Sequence, residues 1–279
     1  MENMDLKTAP ASNYPTADLV QLLNQSFESY LIPIHFDSFQ LHNMLRKDTI
    51  DLTASCVLIV DDQPAGIALI ARRGTLRASR LAAMGVAKEL RGKKAGTWLM
   101  DKLIVEARER KDREMVLEVI EQNEPAVGLY QNSGFETVRR LIGLIHQDAK
   151  QDAKSDLQEV DLRTMGQVIS QHGLPDLPWQ LSGETIALMN PPARAYKYGE
   201  AYMVISNPNV EHVVVWSLLV EASARGKGLG VGMLKRVMAH HAGKIWHVPA
   251  IWPEEFGIIF ERAGFEREKL SQWQMRLSL

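Results

Sequence analysis

The sequence predicts a mixed α/β (α+β) protein made of two tandem copies of one domain, each with a mostly antiparallel sheet flanked by helices. The main observation is an internal repeat, because Arg91-Gly92-Lys93-Lys94-Ala95-Gly96 returns 134 positions later as Arg225-Gly226-Lys227-Gly228-Leu229-Gly230. A Gly-Phe pair follows each copy, 43 residues after the arginine in the first and 39 in the second. A repeat of this length corresponds to whole domains and not to the short units of a solenoid.

Composition limits the possible partners and location of the protein. The chain has 279 residues, of which 46% are hydrophobic and 24% charged, enough for the cores of two ordinary domains. Its 32 basic and 34 acidic residues give a net charge of −2, so no overall field attracts nucleic acid or an anionic membrane. The N-terminus is polar, unlike a signal peptide, and no run of roughly 18 apolar residues is present. We therefore expect a soluble cytoplasmic protein; its oligomeric state cannot be inferred.

The first half predicts the element order ααβββαβα. We expect a capped amphipathic helix at residues 16–27, an apolar loop typical of a pocket lining at 30–36, and a second helix at 39–46. A β-hairpin at 54–71 and a third antiparallel strand at 79–86 follow. The glycine-rich loop, a helix with Leu99 and Leu103 buried, a strand at 115–120 and a short helix at 125–132 follow. Cys56 lies in an apolar run and is expected to be a buried thiol, not a nucleophile.

The domain boundaries follow from a polar segment in the middle of the chain. Residues 148–158 repeat Gln-Asp-Ala-Lys without an apolar pattern, which predicts a linker between domains at 1–147 and 159–279. In the second domain we expect strands at 201–205 and 212–220, and a helix after the loop that uses Leu234, Val237, Met238 and His241.

The repeated loop indicates a phosphate-binding site. A strand that runs into Arg-Gly-Lys-x-x-Gly and then a helix gathers unpaired backbone N–H groups at the helix N-terminus, which bind phosphate oxygens. Glycine allows positive φ and a close approach of the ligand, and Arg or Lys adds charge. Neither copy has the Gly-Lys-Ser/Thr ending of a P-loop or the spacing of a dinucleotide fingerprint.

Two other clusters are expected to have no ligand. Arg72, Arg73, Arg77 and Arg80 crowd the turn around Gly74, and a solvated hairpin tip explains them better than an acidic acceptor does. His240, His241 and His247 lie close in sequence but lack metal-ligand spacing, so no metal is expected.

Together the repeat and its flanks resemble the GCN5-related N-acetyltransferase (GNAT) family. The resemblance covers residues 81–135 and 213–265, and depends on Val86, the loop at 91–96, Leu117-Glu118-Val119, Asn123, Ala126, Tyr130 and Gly134-Phe135. It implies a fold in which the fourth and fifth strands separate, here 79–86 and 115–120, so that the pantetheine arm of acetyl-CoA enters between them.

The resemblance also implies which residues bind acetyl-CoA. The expected set is Met84, Gly85, Val86, Arg91, Gly92, Lys93, Lys94, Ala95, Gly96, Thr97, Asn123, Ala126 and Tyr130, with Arg225, Gly226, Lys227, Gly228, Leu229 and Gly230 in the second copy. Lys94 replaces the glycine that the family places in the middle of the loop. A negative φ would suit it there, and its ammonium group could help to hold a phosphate.

The catalytic residues differ between the copies. By resemblance, Tyr130 donates a proton to the departing thiolate, and the second copy has Phe260 in its place, which has no proton to give. A backbone N–H near Gly85 or Val86 would stabilise the oxyanion, since no side chain there can donate. Glu118 and Glu121 are candidate bases, and His35 and Glu28 are alternatives.

These observations predict an N-acetyltransferase that acts on a small-molecule or peptide amine, with catalysis in the first domain. Two alternatives stay open. Catalysis could lie in the second domain, whose loop is complete, or both sites could be degenerate in a non-catalytic acyl-CoA binding or sensing protein. Transfer of a longer acyl group is a further enzymatic alternative, and the acceptor itself cannot be inferred from the sequence.

Overall fold

The computed structural model describes residues 4–28, 30–147 and 156–279. Residues 148–155 of the predicted linker lie outside this range, and its last residue, Gln158, already begins a strand. Contacts divide the chain into two compact units. The first unit contains Met1–Val119, Asn123–Val138 and Gln274–Leu279, and the second contains Ile120–Gln122 and Arg139–Trp273. The domain boundaries at residues 147 and 159 stay a prediction.

The helices and strands as far as residue 146 include every element that the sequence predicts there, and two more strands. They are β1 (Leu6–Pro10), α1 (Thr16–Ser26), α2 (Ser38–Lys47), β2 (Cys56–Val60), β3 (Gln63–Arg73), β4 (Ala78–Val86), α3 (Ala95–Glu109), β5 (Glu114–Ile120), α4 (Glu124–Asn132) and β6 (Glu136–His146). β1 and β6 were not predicted.

Capping differs from the prediction at the first helix. α1 begins after Pro15 with no side-chain cap, so the expectation of a capped helix at residues 16–27 is wrong. Asp18 lies instead in the first turn, where a negative charge suits the helix dipole. α2 has a complete capping box, in which the backbone N–H of Gln40 donates to Asp37 at 2.7 Å and Gln40 accepts from the Asp37 N–H at 3.0 Å.

The first unit contains a mixed, mostly antiparallel sheet in the order β1-β2-β3-β4-β5. The first three pairs are antiparallel and β4 pairs with β5 in parallel. Helix α1 packs on β3 and β4, and α3 packs on β4. Cys56 is buried in β2 as expected, and burial raises the pKa of its thiol to about 12, which suits a packing role.

The remaining elements run from residue 158 to the C-terminus. They are β7 (Gln158–Val160), α5 (Leu162–His172), α6 (Gly183–Ala187), β8 (Arg194–Tyr198), β9 (Ala201–Ile205), β10 (His212–Val220), α7 (Leu229–His240), β11 (Ile245–Pro253), α8 (Gly257–Glu261) and β12 (Glu266–Ser278). The two strands predicted here are confirmed. The loop helix is confirmed too, although His241 lies just past its end as the C-cap.

The second unit contains a sheet in the order β6-β11-β10-β9-β8-β7, in which only β10 and β11 are parallel. Alternation along β9 shows that helices cover both faces. Met203 and Ile205 pack in one core cluster with side chains of α7, whereas Tyr202 and Val204 pack in another with side chains of α5. Since successive side chains of a strand point to opposite faces, the fold is a helix-flanked sheet, as predicted.

Candidate active site

The first glycine-rich loop forms a tight turn into α3. Gly92 has a φ of 75° and Lys94, the N-cap of α3, has a φ of 65°. The negative φ that would suit a lysine is therefore not adopted. No side chain caps the helix, and the first-turn amides of Ala95, Gly96 and Thr97 have no acceptor within it. This turn, which includes Lys93, gathers the predicted loop residues around one helix N-terminus that could hold a phosphate.

The arginine of each loop binds the end of a preceding helix. The Arg91 guanidinium donates to the carbonyl oxygens of Ser26 and Glu28, each at 3.0 Å. In the second unit Arg225 donates to the carbonyls of His172 at 2.8 Å and Val220 at 3.0 Å. The sequence assigned these side chains to a phosphate, whereas here they join the loop to α1 and to α5.

β4 and β5 separate part-way along their length, as the family resemblance implies. Their paired residues end at Arg80 and Val116, so Met84, Gly85 and Val86 lie beyond the last pair. The Ala87 N–H donates to the Ala65 carbonyl of β3 at 2.8 Å. Because N–H groups of an antiparallel pair alternate in direction, the Val86 and Met84 N–H groups point away from β3, toward the gap.

A buried ion pair lies where the two strands separate. Arg80 donates through Nε and Nη2 to one carboxylate oxygen of Glu118, at 2.7 Å in both cases. Both side chains are almost completely buried. The expectation that Arg80 belongs to a solvated hairpin tip is therefore wrong. Arg80 is the last residue of β4 that pairs with β5, opposite Val116. Glu118 lies two residues further along β5, so the two side chains meet inside the sheet and are buried together.

Three polar side chains meet beside α4. Asn123 caps this helix by accepting from the Ala126 N–H at 3.4 Å, and its side-chain amide donates to the Tyr30 hydroxyl at 3.4 Å. Tyr130 is buried, with its ring 5.9 Å from that of Phe135. Burial, and secondarily the nearby Tyr30, raises the pKa of the Tyr130 phenol, so it stays protonated at neutral pH.

Tyr30 was not among the predicted site residues. The only signal was its place in the apolar loop after α1, which predicted a pocket lining without a role for the phenol. Its ring packs edge-on against Phe27, with centroids 5.2 Å apart.

Glu121, the other candidate base, belongs to the second unit. Its carboxylate accepts a short hydrogen bond from Ser271 and pairs with Arg140 at 2.8 Å. The Ser271 hydrogen bond, opposed by some burial and assisted by Arg140, lowers the pKa of Glu121, which makes it a weaker proton acceptor.

The second loop repeats the backbone geometry of the first and opens onto a cavity. Gly226 and Gly228 have φ of 80° and 77°, close to those of Gly92 and Lys94. The cavity, of about 320 Å³, is lined by this loop, by Ser217–Val220 of β10, and by Phe260, which is completely buried. Lys227 is exposed on the same turn.

The described residues contain no cluster of three or more potential metal ligands and no helix that is long and apolar enough to cross a bilayer.

Comparisons with known proteins agree with the geometry of the first unit. Residues 17–135 match the sequence profile of the Acetyltransferase (GNAT) family. Members of this family transfer acyl groups from acyl-CoA, generally acetyl-CoA. A search of curated protein sequences gives no significant match.

Solved structures resemble the chain over almost its full length. A GCN5-related N-acetyltransferase from Sphaerobacter thermophilus is 12% identical with a TM-score of 0.71, and the match covers 100% of this chain and 96% of that one. A tandem GNAT protein from the clavulanic acid biosynthesis pathway is 14% identical with a TM-score of 0.64, and 98% of each chain is covered. At these identities the likeness establishes the fold of both units. The chain therefore carries, at residues 17–135, a domain that matches the GNAT acetyltransferase family, and both units share the fold of the solved GNAT structures.

Proposed function

We propose that the first unit transfers an acetyl group from acetyl-CoA to a primary amine of a small molecule or peptide, in the cytoplasm. The observation that supports this most is the buried phenol of Tyr130, grouped with Asn123 and Tyr30 in the unit that matches the family. The first loop and the backbone of Met84, Gly85 and Val86 would hold the carrier, with the diphosphate at the N-terminus of α3.

Each step of the transfer has a candidate residue in the first unit. When bound, acetyl-CoA supplies the thioester carbon that the amine attacks. The Val86 N–H, directed into the gap, would donate to the carbonyl oxygen as charge develops on it. Tyr130 is protonated at neutral pH and would then give its proton to the departing thiolate.

The base that takes a proton from the amine is assigned less directly. Glu118 shares a unit with Tyr130, and its carboxylate lies where β4 and β5 separate, although it is bound by Arg80. Glu121 has a lowered pKa and two partners of its own. We propose Glu118 as the first candidate, acting through water, and keep Glu121, His35 and Glu28 as alternatives.

Replacement of Tyr130 by phenylalanine tests the proposed acid. A thiol with a pKa near ~8.5 is already a tolerable leaving group, so Tyr130→Phe should lower kcat by about 10 to 100-fold without abolishing activity. Thiol release from acetyl-CoA with a pool of amines is the measurement. Tyr196→Phe makes the same chemical change in the second unit and should leave kcat unchanged. An unaltered kcat in Tyr130→Phe would remove the assignment.

A second candidate places catalysis in the second unit, because its loop has glycine at position 228 and a cavity beside it. Lys94→Glu and Gly228→Glu each put a negative charge where a phosphate would bind, one in each unit. Loss of transfer in Lys94→Glu alone supports the first unit, and loss in Gly228→Glu alone supports the second. Binding of acetyl-CoA with no transfer to any amine would instead indicate a binding or sensing protein.

A further inference from the structure

The cavity of the second unit has a charged, open end and an apolar, closed end. Exposed residues of the lining mark the opening, and they are Arg225, Gly226, Gly228 and Arg262. The buried lining residues that lie outside the loop and α7 are taken as the closed end, and they include Ile169, Leu181, Ser217, Leu219, Trp252 and Phe260. A ligand that fills this space must therefore combine an anionic part with an apolar part.

The open end is suited to a diphosphate. α7 starts after Gly228 without a side-chain cap, so its first-turn amides have no acceptor in the helix. Leu229, Gly230 and Val231 carry those amides and all three line the cavity. Arg262 adds positive charge at the same end, beside Arg225, whose guanidinium is bound to the His172 and Val220 carbonyls, so the helix amides carry the anion site.

The wall between the two ends offers backbone groups to an extended ligand. β10 and β11 stay paired only as far as Val214 and His247. The Glu221 N–H donates to the Glu200 carbonyl of β9 at 3.0 Å, so alternation directs the Val220 and Leu218 N–H groups toward the gap with β11. Both residues line the cavity. A chain with amide groups, such as the pantetheine arm of CoA, can pair along this edge.

The closed end is apolar and has no group suited to acid or base catalysis. Its lining includes Leu174, Leu177, Leu181 and Phe256. None of the lining residues in the described part of the chain carries a carboxylate, imidazole, thiol or phenol. Phe260 stands where the first copy has Tyr130, with its ring 5.1 Å from that of Trp252. The buried Trp252 indole N–H, which has no hydrogen-bond partner among the described residues, can donate to a carbonyl.

We propose that this cavity binds a CoA thioester whose acyl chain is apolar and longer than acetyl, and that it holds the thioester without transferring the acyl group. The diphosphate lies at the N-terminus of α7, pantetheine along β10, and the acyl chain against Leu174, Leu177 and Leu181. The site is separate from the one proposed for acetyl transfer, so either assignment can fail without the other.

The apolar end makes affinity depend on chain length. Each methylene removed from water contributes about 0.8 kcal/mol, which corresponds to about a fourfold decrease in Kd. Octanoyl-CoA has six more methylenes than acetyl-CoA, and burial of half of them gives roughly a 60-fold preference.

Calorimetry on the full chain tests the proposal. The Lys94→Glu variant serves as the background, because it puts a negative charge in the loop of the first unit, and octanoyl-CoA, acetyl-CoA, CoA and octanoate are titrated separately. We expect octanoyl-CoA to bind about 60-fold tighter than acetyl-CoA, and both CoA and octanoate to bind much more weakly than octanoyl-CoA. Leu177→Trp fills the apolar end and should bring the ratio close to one. Val210→Trp, a change at an exposed site of the same unit, should keep it.

Three results would overturn the proposal. They are equal affinities for octanoyl-CoA and acetyl-CoA, a preference that survives Leu177→Trp, and release of CoA thiol from octanoyl-CoA in the Lys94→Glu background when amines are added. Leu174→Trp replaces Leu177→Trp if thermal unfolding shows that the first variant is not folded. Acetyl transfer by the unmodified chain is assayed separately, so its absence would contradict the proposed function and leave this inference standing.

Discussion

At Lys94 the two repeats differ most clearly in the free energy of their backbone conformation. Lys94 adopts a φ of 65° where its counterpart Gly228 adopts 77°. A non-glycine residue in this left-handed region loses about 1–2 kcal/mol, which glycine avoids. The loop therefore adopts a similar conformation in both units, although only the second has glycine at this position.

Lys94→Gly should stabilise the first unit. Relief of about 1–2 kcal/mol exceeds the roughly 0.4–1 kcal/mol by which glycine favours the unfolded chain, so a net gain of about 0.5–1 kcal/mol is expected. Urea denaturation, monitored with a spectroscopic signal from the first unit, measures this change in the free energy of unfolding. Gly228→Ala should change stability in the opposite direction, and a loss of stability in Lys94→Gly would contradict the strain argument.

His241 provides a pH-dependent contribution to the second unit. Its Nε2 lies 2.8 Å from the Tyr196 hydroxyl. Burial first, then His240, Arg194 and Lys244, lower the pKa of His241 to about 4, with Glu159 acting in the opposite direction. The folded state thus keeps the imidazole neutral, and the unfolded chain takes up a proton at higher pH than the folded protein does.

Acid should therefore destabilise the second unit through this residue. Its contribution is complete above a pH of about 6.5 and is lost as pH falls toward about 4, by roughly 1–2 kcal/mol after allowance for the half-exposed side chain. Thermal unfolding at several pH values measures the effect. His241→Gln should flatten the dependence in this window, whereas His212→Gln, at an exposed histidine, should keep it. A slope that persists in His241→Gln would refute the assignment.

At the scale of elements, the close packing of α1 against β4 positions the first site. A Cβ atom added to Gly85 would lie 2.6 Å from the Ser26 Cβ and 3.2 Å from its carbonyl oxygen, the same carbonyl that Arg91 binds. The end of α1, the loop arginine and the strand that borders the gap are thus held together at one point.

Gly85→Ala should separate these elements. The added methyl group cannot fit without movement of α1, so we expect a loss of about 1–3 kcal/mol in stability and a lower kcat. Gly74→Ala is the matched control, because a Cβ there meets nothing within 4 Å and stability should change by less than about 0.5 kcal/mol. Wild-type stability and kcat in Gly85→Ala would show that the contact does not hold the site.

Sequence patterns identified the elements whose signal is local. The strand before each loop, α3 and α7 carry apolar periodicity, and the repeat located both loops. β1 and β6 escaped detection because their strand character depends on distant partners: Leu6 of β1 pairs with Val60 of β2, and Leu141 of β6 pairs with Pro253 of β11. The pair between Arg80 and Glu118 could not be inferred either, since the two residues meet only when β4 and β5 are aligned.

At the scale of the whole molecule, the chain returns to the first unit at its C-terminus. The Leu279 N–H donates to the Arg113 carbonyl at 3.0 Å, and Arg276 pairs with Glu114 at 3.1 Å. Met275 and Leu277 are buried. A duplication would by itself give two self-contained halves, so these contacts predict that the first unit needs residues 274–279 for its stability.

Leu277→Asp should therefore destabilise the first unit, although it lies 147 residues after Tyr130 in the sequence. Loss of a buried leucine combined with burial of a carboxylate should cost about 3–5 kcal/mol and decrease acetyl transfer in parallel. Hydrogen exchange of β5 amides and thiol release measure the two effects. Ser278→Asp places the same charge on the neighbouring exposed residue and should have little effect. If Leu277→Asp left β5 exchange and transfer unchanged, the first unit would be complete without the C-terminal residues, and the division at residues 147 and 159 would describe two independent domains.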